Sequence, residues 1–301
     1  MNLNRVYSTV DTHIFGEAFR IVVHSSMRWL HETIEEAQAH VMEQFQFERN
    51  ILLNEPRGHR GMNGCLVCPS TEAQFGLAFF NHPDSTAFKQ EALLAATTAL
   101  IEMGTIERTE DDRYQVETAY GIYTITAKVE DGEVVETSMF VEASEVVEKT
   151  EAFTKVRVGD DRFYRLYVLP PEIPTIDVAH LGMIERWGAT ITKQLKQAEA
   201  SVEGIVLIEE FEEGHVRTVT FEKDGYILRS PGIDVTCAIL AVENVQRFTN
   251  TSIFHSTFSV EQLTTRTGKI KQLVRGEAFV TGSHDFLVDA DDPLQNGFLL
   301  A

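Results

Sequence analysis

Two strand–turn–helix units recur about half a chain apart in this sequence, and both of their helices are apolar on every face. In the first unit the strand Phe75–Phe80 precedes a helix predicted over Lys89–Met103. In the second unit the strands His215–Phe221 and Tyr226–Leu228 precede a helix predicted over Gly232–Val245. A helix without a polar face is expected to be buried on all sides. The apolar pattern therefore predicts one central, buried helix in each half of the chain.

The spacing of apolar residues elsewhere in the chain predicts two surface helices and several half-exposed strands. Apolar residues recur at helical spacing in Arg28–Arg49 and Gly182–Ala200, whereas polar and apolar residues alternate in Gln115–Glu130 and Val135–Val141. With 301 residues, 43% of them hydrophobic, the chain can bury a sizeable core. Two domains, or one domain built from two halves, are the simplest arrangements.

The excess of acidic residues makes two classes of binding partner, nucleic acids and membranes, unfavourable. The chain carries 26 Lys and Arg against 46 Asp and Glu, a formal charge of -20, which repels phosphate backbones and anionic membranes. We expect no signal peptide, because no N-terminal stretch combines basic residues, an apolar run and a small-residue cleavage site, and no apolar run approaches the roughly 20 residues that cross a bilayer. The cysteines Cys65, Cys68 and Cys237 are too scattered for a disulfide framework and suit a reducing compartment. We therefore expect a cytoplasmic protein that binds neither nucleic acid nor membrane.

Three blocks of sequence near the two ends of the chain carry a family resemblance. They are Asp-Thr-His-Ile-Phe-Gly-Glu at Asp11–Glu17 with Arg20–Val22, Asn-Glu-Pro-Arg-Gly-His at Asn54–His59, and Gly-Ser-His-Asp-Phe at Gly282–Phe286 followed by Asp291–Pro293 and Gly297–Leu300. On these motifs the chain resembles the proline racemase family, which includes proline racemases, hydroxyproline epimerases and trans-3-hydroxyproline dehydratases. The resemblance spans nearly the whole chain.

The resemblance implies a mixed α/β (α+β) fold like that of diaminopimelate epimerase. Such a fold has two lobes, each a curled sheet around one central helix, and a cleft between the lobes that faces the N-termini of the two helices. We expect one lobe from residues 1–127 plus 276–301 and the other from residues 128–275. No cofactor is expected, and a homodimer is left open.

The residues that the family uses for chemistry are missing. In the family a Met-Cys-Gly-His-Gly run opens the first central helix, and an Asp-Arg-Ser-Pro-Cys-Gly-Thr-Gly run opens the second. Aligned on the first run, this chain has Lys89 in place of the cysteine and Glu91 in place of the histidine. On the second run it has Gly232 for the cysteine and Leu228 for the aspartate. Family dehydratases keep the first cysteine and carry threonine at the second, so this chain fits neither version.

The loss of both cysteines bears directly on the reaction. Racemisation removes a proton from one face of Cα and returns one to the other, so two opposed groups must each serve as acid and base. Cysteine suits this task because a helix N-terminus lowers the pKa of a thiol toward neutrality. Gly232 offers no side chain, and Cys237 lies more than one helical turn further on and points aside. We interpret Cys237 as a buried packing residue, and the sequence predicts no two-base inversion.

The charged residues at the starts of the two central helices could bind a ligand or stabilise the helix ends. An ammonium at Lys89 can bind a carboxylate or, when desolvated, act as a base, although Glu91 nearby favours its charged form. Glu91 and Asp234 fall in the first turns of the central helices, where the helix dipole favours carboxylates. In the family these helix N-termini also hold the substrate carboxylate. We expect the protein's own carboxylates to fill or screen those sites.

The remaining motif residues predict structural roles. Cys65 and Cys68 have the spacing of half a zinc site, but a structural zinc takes four ligands, so no metal is predicted. Signature residues that survive beside lost catalytic ones are expected to support the fold through hydrogen bonds and ion pairs. These residues are His13, His59 and His284, together with a paired network of Asp11, Glu55 and Arg57.

The sequence thus predicts a proline racemase-family protein with a cleft of the imino- or amino-acid-binding type, without racemase or dehydratase activity. Two alternatives stay open. One is an isomerase or lyase of altered chemistry that uses Lys89, Glu91 or Asp234 on a different small substrate. The other is a binding protein for an amine or a cationic amino acid, which an acidic cleft suits. The candidate ligand-binding residues are Lys89, Gln90, Glu91, Leu228, Ile233, Asp234 and Asn63, the last at a family position often held by a pocket aromatic.

Overall fold

The computed structural model describes residues 3–25, 32–83, 85–86, 88–159, 162–198, 201–212, 214–243, 245–265 and 267–299. The strands are β1 (Leu3–Ile14), β2 (Glu17–Ser25), β3 (Met62–Cys68), β4 (Phe75–Phe79), β5 (Arg113–Thr118), β6 (Gly121–Glu130), β7 (Glu133–Glu142), β8 (Glu145–Lys149), β9 (Thr154–Val158), β10 (Arg162–Val168), β11 (Val202–Glu212), β12 (His215–Glu222), β13 (Arg247–Ser252), β14 (Thr257–Thr264), β15 (Ile270–Gly276) and β16 (Ala278–Asp289). The helices are α1 (Ile34–Gln44), α2 (Gln46–Leu53), α3 (Glu91–Glu102), α4 (Leu181–Ala198) and α5 (Ile233–Glu243), with a 3-10 turn at Val178–His180.

The chain divides into two compact units. The first comprises Met1–Pro83, Ala87–Thr137 and Glu277–Ala301, and the second comprises Asp84–Thr86 and Ser138–Gly276. β7 passes from the first unit into the second, so the chain crosses between them within a strand.

The first unit is a sheet that curls around α3. Its strand order is β16-β1-β2-β3-β4-β5-β6-β7, and α3 packs against β1, β2, β6 and β16. Every residue of α3 from Glu91 to Ile101 is buried, as its uniformly apolar sequence predicts. β2 and β3 are parallel and therefore need a crossover, which α1 and α2 supply. These two helices pack in a hydrophobic cluster of buried residues that includes Ile34, Val41 and Leu52.

The second unit repeats this arrangement around α5. Its strand order is β15-β14-β13-β12-β11-β10-β9-β8, and α5 packs against β8, β9, β10, β13 and β14. α4 connects the parallel strands β10 and β11 and buries Ile184 and Leu195. A Cβ at Gly188 in α4 would lie 2.2 Å from the ring of Phe221 on β12. Glycine is therefore required for the close approach of α4 to the sheet.

The two predicted central helices are confirmed, whereas one predicted surface helix is not continuous. In place of the single predicted helix Arg28–Arg49 the structure has α1 and α2, which are separated at the buried residue Phe45. Residues 28–31 lie outside the described residues. Tyr226–Leu228 forms a single bridge, Phe221 with Ile227, instead of a strand. None of the helices in the described part of the chain combines the length and the hydropathy that a membrane crossing requires.

Candidate functional site

The first candidate site lies at the N-terminus of α3 and contains Lys89, which the sequence motifs align with the family's first catalytic cysteine. Two short backbone bonds tighten the entry to the helix: Ala92 N donates to Lys89 O at 3.1 Å, and Leu93 N donates to Gln90 O at 3.0 Å. Gln90 is the N-cap residue, is buried, and makes no side-chain capping bond to the helix. Lys89 is thus held rigidly at the start of a buried helix.

The side chain of Lys89 is engaged by a carboxylate of the same unit. Lys89 Nζ donates to Glu17 Oε1 at 2.8 Å, and the two side chains are only 7% and 3% exposed. Asn63 Nδ2 donates to the same Glu17 oxygen at 2.9 Å and to Ala18 O at 3.0 Å. Parallel pairing of β2 with β3, in which Phe19 opposes Asn63, brings these groups together. A buried ion pair with a supporting amide therefore occupies this site.

The residue before Lys89 is anchored by aromatic packing. The ring of Phe88 lies 4.7 Å from that of Tyr120 and is stacked on it, 5.2 Å from that of Phe79, and 5.6 Å from that of Tyr123. Phe88 is 3% exposed.

Glu91, the residue after Gln90, is also buried and begins α3, where the helix dipole favours its charge.

The second candidate site lies at the N-terminus of α5 and contains Gly232, which the sequence motifs align with the family's second cysteine. Gly232 has a φ of 76°, a conformation that L side chains rarely adopt. A Cβ there would meet Val235 at an ordinary contact distance of 3.5 Å, so the backbone and not crowding selects glycine. Gly232 N donates to Ser230 Oγ at 3.2 Å, and Thr236 Oγ1 donates to Gly232 O at 2.7 Å. The turn is thus shaped for a residue without a side chain.

A buried polar network braces this turn. Asn250 Nδ2 donates to Pro231 O at 3.3 Å and to Thr236 Oγ1 at 3.1 Å, and Thr218 Oγ1 donates to Asn250 Oδ1 at 2.8 Å. All of these side chains are at most 2% exposed. Side-chain hydrogen bonds therefore hold the entry to α5, whereas the bonds described for the entry to α3 are between backbone groups.

Asp234 in the first turn of α5 pairs with two residues of β10. Arg162 Nη1 donates to Asp234 Oδ2, and Tyr164 Oη donates to the same oxygen at 3.4 Å. Burial raises the pKa of the Asp234 carboxyl above its usual value, while Arg162 and Tyr164 oppose that rise. Ile233, next to it, is fully buried, and Leu228 is half-buried with its N–H donated to Thr220 O.

All three cysteines are free thiols that are buried away from solvent. Burial raises the pKa of the Cys65 thiol well above its usual value and that of the Cys68 thiol to about 12. Cys237 is 1% exposed in the core around α5. Among the described residues there is no group of three or more His, Cys, Asp or Glu that could hold a metal ion. These thiols have the character of packing residues.

The retained signature residues form a structural network around Arg20. Arg20 donates to Asp11 through Nε–Oδ1 at 2.9 Å and Nη2–Oδ2 at 2.6 Å. Its Nη1 donates to the carbonyls of Leu52 and Arg57. Arg57 itself pairs with Asp292 at 3.1 Å. Asp11 and Arg57 are therefore joined through Arg20 instead of pairing with each other, which corrects the network expected from the sequence.

The remaining signature residues also make local contacts. The ring of His13 stacks on Phe279 at 5.3 Å, and His59 Nδ1 accepts from Gly61 N at 3.1 Å. His284 Nε2 lies 3.5 Å from Asp11 Oδ2. Glu55 accepts through its backbone carbonyl from Phe298 N at 2.9 Å. Such contacts support structural roles for the three histidines.

The structure brings some of the predicted residues together and adds partners that the sequence reading missed. Lys89 and Asn63 meet at Glu17 in the first unit, and Asp234 meets Arg162 and Tyr164 in the second. Glu17 closes the first signature block, so its retention was a usable signal. Arg162 and Tyr164 stand two residues apart on β10 and so face the same way, but nothing in the sequence pairs them with Asp234.

Comparison with known proteins places this geometry in context. The sequence profile of the family described as proline racemase matches residues 9–299. The chain is 29% identical to a trans-3-hydroxy-L-proline dehydratase of Bacillus thuringiensis subsp. konkukian, over 100% of both chains. It is 24% identical to a proline racemase of Acetoanaerobium sticklandii, over 99% of both chains.

A solved structure matches the fold over the full length. The hydroxyproline epimerase from Agrobacterium vitis, determined with bound trans-4-hydroxy-L-proline, superposes with a TM-score of 0.83 and 25% identity, covering 100% of this chain and 96% of the epimerase. The predicted mixed α/β fold of the two-lobed, diaminopimelate-epimerase-like type is thereby confirmed. Within it, each central helix carries at its start a side-chain arrangement without a cysteine.

Proposed function

This chain belongs to the proline racemase family, and we propose that it performs neither the racemisation nor the dehydration of that family. The observation that carries this proposal is the pair of helix starts: a buried Lys89–Glu17 ion pair at one and a glycine with a φ of 76° at the other. Neither position offers a thiol, and the second offers no side chain. Proton transfer to two opposite faces of Cα then lacks its carriers.

Altered chemistry at the same residues receives less support. A general base needs a free lone pair near the operating pH, whereas an ammonium beside a carboxylate at 2.8 Å is favoured in its charged form. Asp234 is likewise engaged by Arg162 and Tyr164. Both groups are therefore engaged by partners inside the protein, which leaves them less available for proton abstraction from a substrate.

The ligand class that we propose follows the family scaffold. The chain keeps the helix starts at which the family holds a substrate carboxylate, and the Agrobacterium vitis relative was solved with a hydroxyproline bound. We propose that any retained binding is of a small amino or imino acid and that it is weak, since Glu91 and Asp234 add negative charge at both helix starts.

The test is a product assay at high protein concentration. The purified chain is incubated with L-proline, trans-4-hydroxy-L-proline and trans-3-hydroxy-L-proline, and the mixtures are separated on a chiral column and weighed by mass spectrometry. We expect no D-proline, no 4-hydroxyproline epimer and no loss of water. The Bacillus thuringiensis dehydratase, run in parallel, verifies that the dehydration product is detected. Time-dependent formation of any of these products by this chain contradicts the proposal.

A further inference from the structure

Glu17 receives hydrogen bonds from two residues that both depart from the family pattern. Lys89 stands where the family has its first catalytic cysteine, and Asn63 stands where the family often has a pocket aromatic. Their nitrogens lie 2.8 Å and 2.9 Å from the same oxygen, Glu17 Oε1. Two separate departures thus converge on one carboxylate oxygen.

The carboxylate is positioned by the sheet. Glu17 is the first residue of β2 and opposes Ile14 in the β1–β2 hairpin, while Phe19 opposes Asn63 in the parallel pair β2–β3. Asn63 Nδ2 also donates to Ala18 O at 3.0 Å, which fixes the direction of its amide. Backbone pairing therefore holds the acceptor and the supporting donor in place whether or not Lys89 reaches them.

We propose that Glu17 and Asn63 form a binding site for a primary ammonium group, and that Lys89 occupies this site from within the chain. The inference rests on the proposed function, in which the protein's own lysine stands at the start of α3 and the family reaction does not take place. The site accepts an ammonium because its acceptor is a buried carboxylate oxygen. It accepts a linear alkyl chain because the aliphatic part of the Lys89 side chain now occupies the space beside that oxygen.

The shape of the ligand follows from the lysine side chain. Replacing Lys89 by alanine keeps Cβ and removes Cγ, Cδ, Cε and Nζ, which are the heavy atoms of n-propylammonium. The truncation removes a positive charge that lies 2.8 Å from a buried carboxylate oxygen, which is strongly unfavourable, so the vacated space favours binding of a cation of this shape. A neutral molecule of the same shape, 1-propanol, lacks the charge that Glu17 needs.

The experiment is rescue of Lys89→Ala by n-propylammonium, followed by thermal unfolding. We expect Lys89→Ala to melt below the native protein and to recover a saturable rise in Tm of at least about 2 °C with the amine. Lys89→Ala/Glu17→Gln and 1-propanol should give no such rise. Lys223→Ala is the matched control, because Lys223 Nζ lies 3.0 Å from Glu203 Oε1 in a pair that is 35% and 18% exposed and that water can reach.

A rise of equal size in the native protein, in the double variant or in Lys223→Ala overturns the proposal. If Lys89→Ala does not fold alone, the yield of folded protein after refolding with and without n-propylammonium is measured, and the absence of amine-dependent recovery also overturns it. The product assay above is independent: racemase or dehydratase activity in the native chain removes the proposed function and leaves the rescue result standing.

Discussion

Lys89 Nζ lies 2.8 Å from Glu17 Oε1, and neither side chain is more than 7% exposed. Both charges have been taken out of water, which costs several kcal/mol for each ion unless each compensates the other. The family's reactive thiol position is thereby turned into part of the protein's internal charge balance. Under the proposed function, the same ion pair stabilises the first unit and removes the family's chemistry from this position.

A double-mutant cycle tests this coupling. We expect Lys89→Met and Glu17→Gln each to lower the free energy of unfolding by about 3–5 kcal/mol, because each removes an opposite charge that lies 2.8 Å from a buried ion. The double variant should lose much less than the sum, since it removes both members of the pair. Urea unfolding of the four proteins gives the coupling energy. Additive losses would show that the two charges do not depend on each other.

The second prediction concerns Gly232. Because its φ is 76° and a Cβ would find space, Gly232→Ala and Gly232→Cys should destabilise the protein by a similar amount, about 1–2 kcal/mol, from backbone strain alone. Gly182→Ala is the matched control: Gly182 lies in α4 without a positive φ, so its replacement should be neutral or stabilising by up to about 1 kcal/mol. Gly232→Cys as stable as the native chain contradicts this account of the turn.

The third prediction concerns the signature network. Arg20→Lys keeps the charge but cannot reproduce both bonds to Asp11 and the bonds to two carbonyls, so we expect a loss of about 2–3 kcal/mol. Arg157→Lys serves as control, since the Arg157–Glu145 pair is 44% and 60% exposed and should change stability by less than about 0.5 kcal/mol. Equal effects of the two substitutions in urea unfolding would argue against a special role for Arg20.

The fourth prediction is a pH dependence from Asp234. Burial raises its folded-state pKa above the usual value of 3.8, so the folded protein binds more protons than the unfolded chain above that pH. Stability that is present below pH 3.8 is therefore lost as the pH rises through the folded-state pKa. Asp234→Asn cannot titrate and lacks this loss.

The free energy of unfolding of the native protein minus that of Asp234→Asn should thus fall as the pH rises from about 4 toward neutrality. Urea unfolding of both proteins at several pH values measures the difference. A difference that grows with pH would mean that Arg162 and Tyr164 outweigh burial and lower the pKa of the carboxyl instead.

The sequence predicts the central helices and the lost cysteines because both depend on local information. The apolar residues of α3 and α5 mark helices that are buried all round, and the residues at Lys89 and Gly232 follow from motif alignment. The partners of these sites depend on tertiary structure. Lys89 and Glu17 are 72 residues apart, as are Arg162 and Asp234, and no periodicity in the chain links residues over that distance.

Two features of the structure cannot be predicted from local sequence patterns. The amphipathic pattern after residue 32 continues through Phe45, so it predicts one helix where the structure has α1 and α2. The conformation of Gly232 is set by the turn that Ser230, Thr236 and Asn250 hold together. A glycine in a sequence indicates freedom of φ, but only the fold shows that this freedom is used.

Deuterium exchange at Cα tests the central claim most directly, because it detects removal of a proton even where no inverted product accumulates. The native chain at high concentration is incubated in D2O with proline and the hydroxyproline isomers, and the Cα proton signal is followed by NMR. We predict exchange no faster than in buffer alone, for the native chain and for Lys89→Met alike. Exchange above the buffer rate by the native chain would contradict the account.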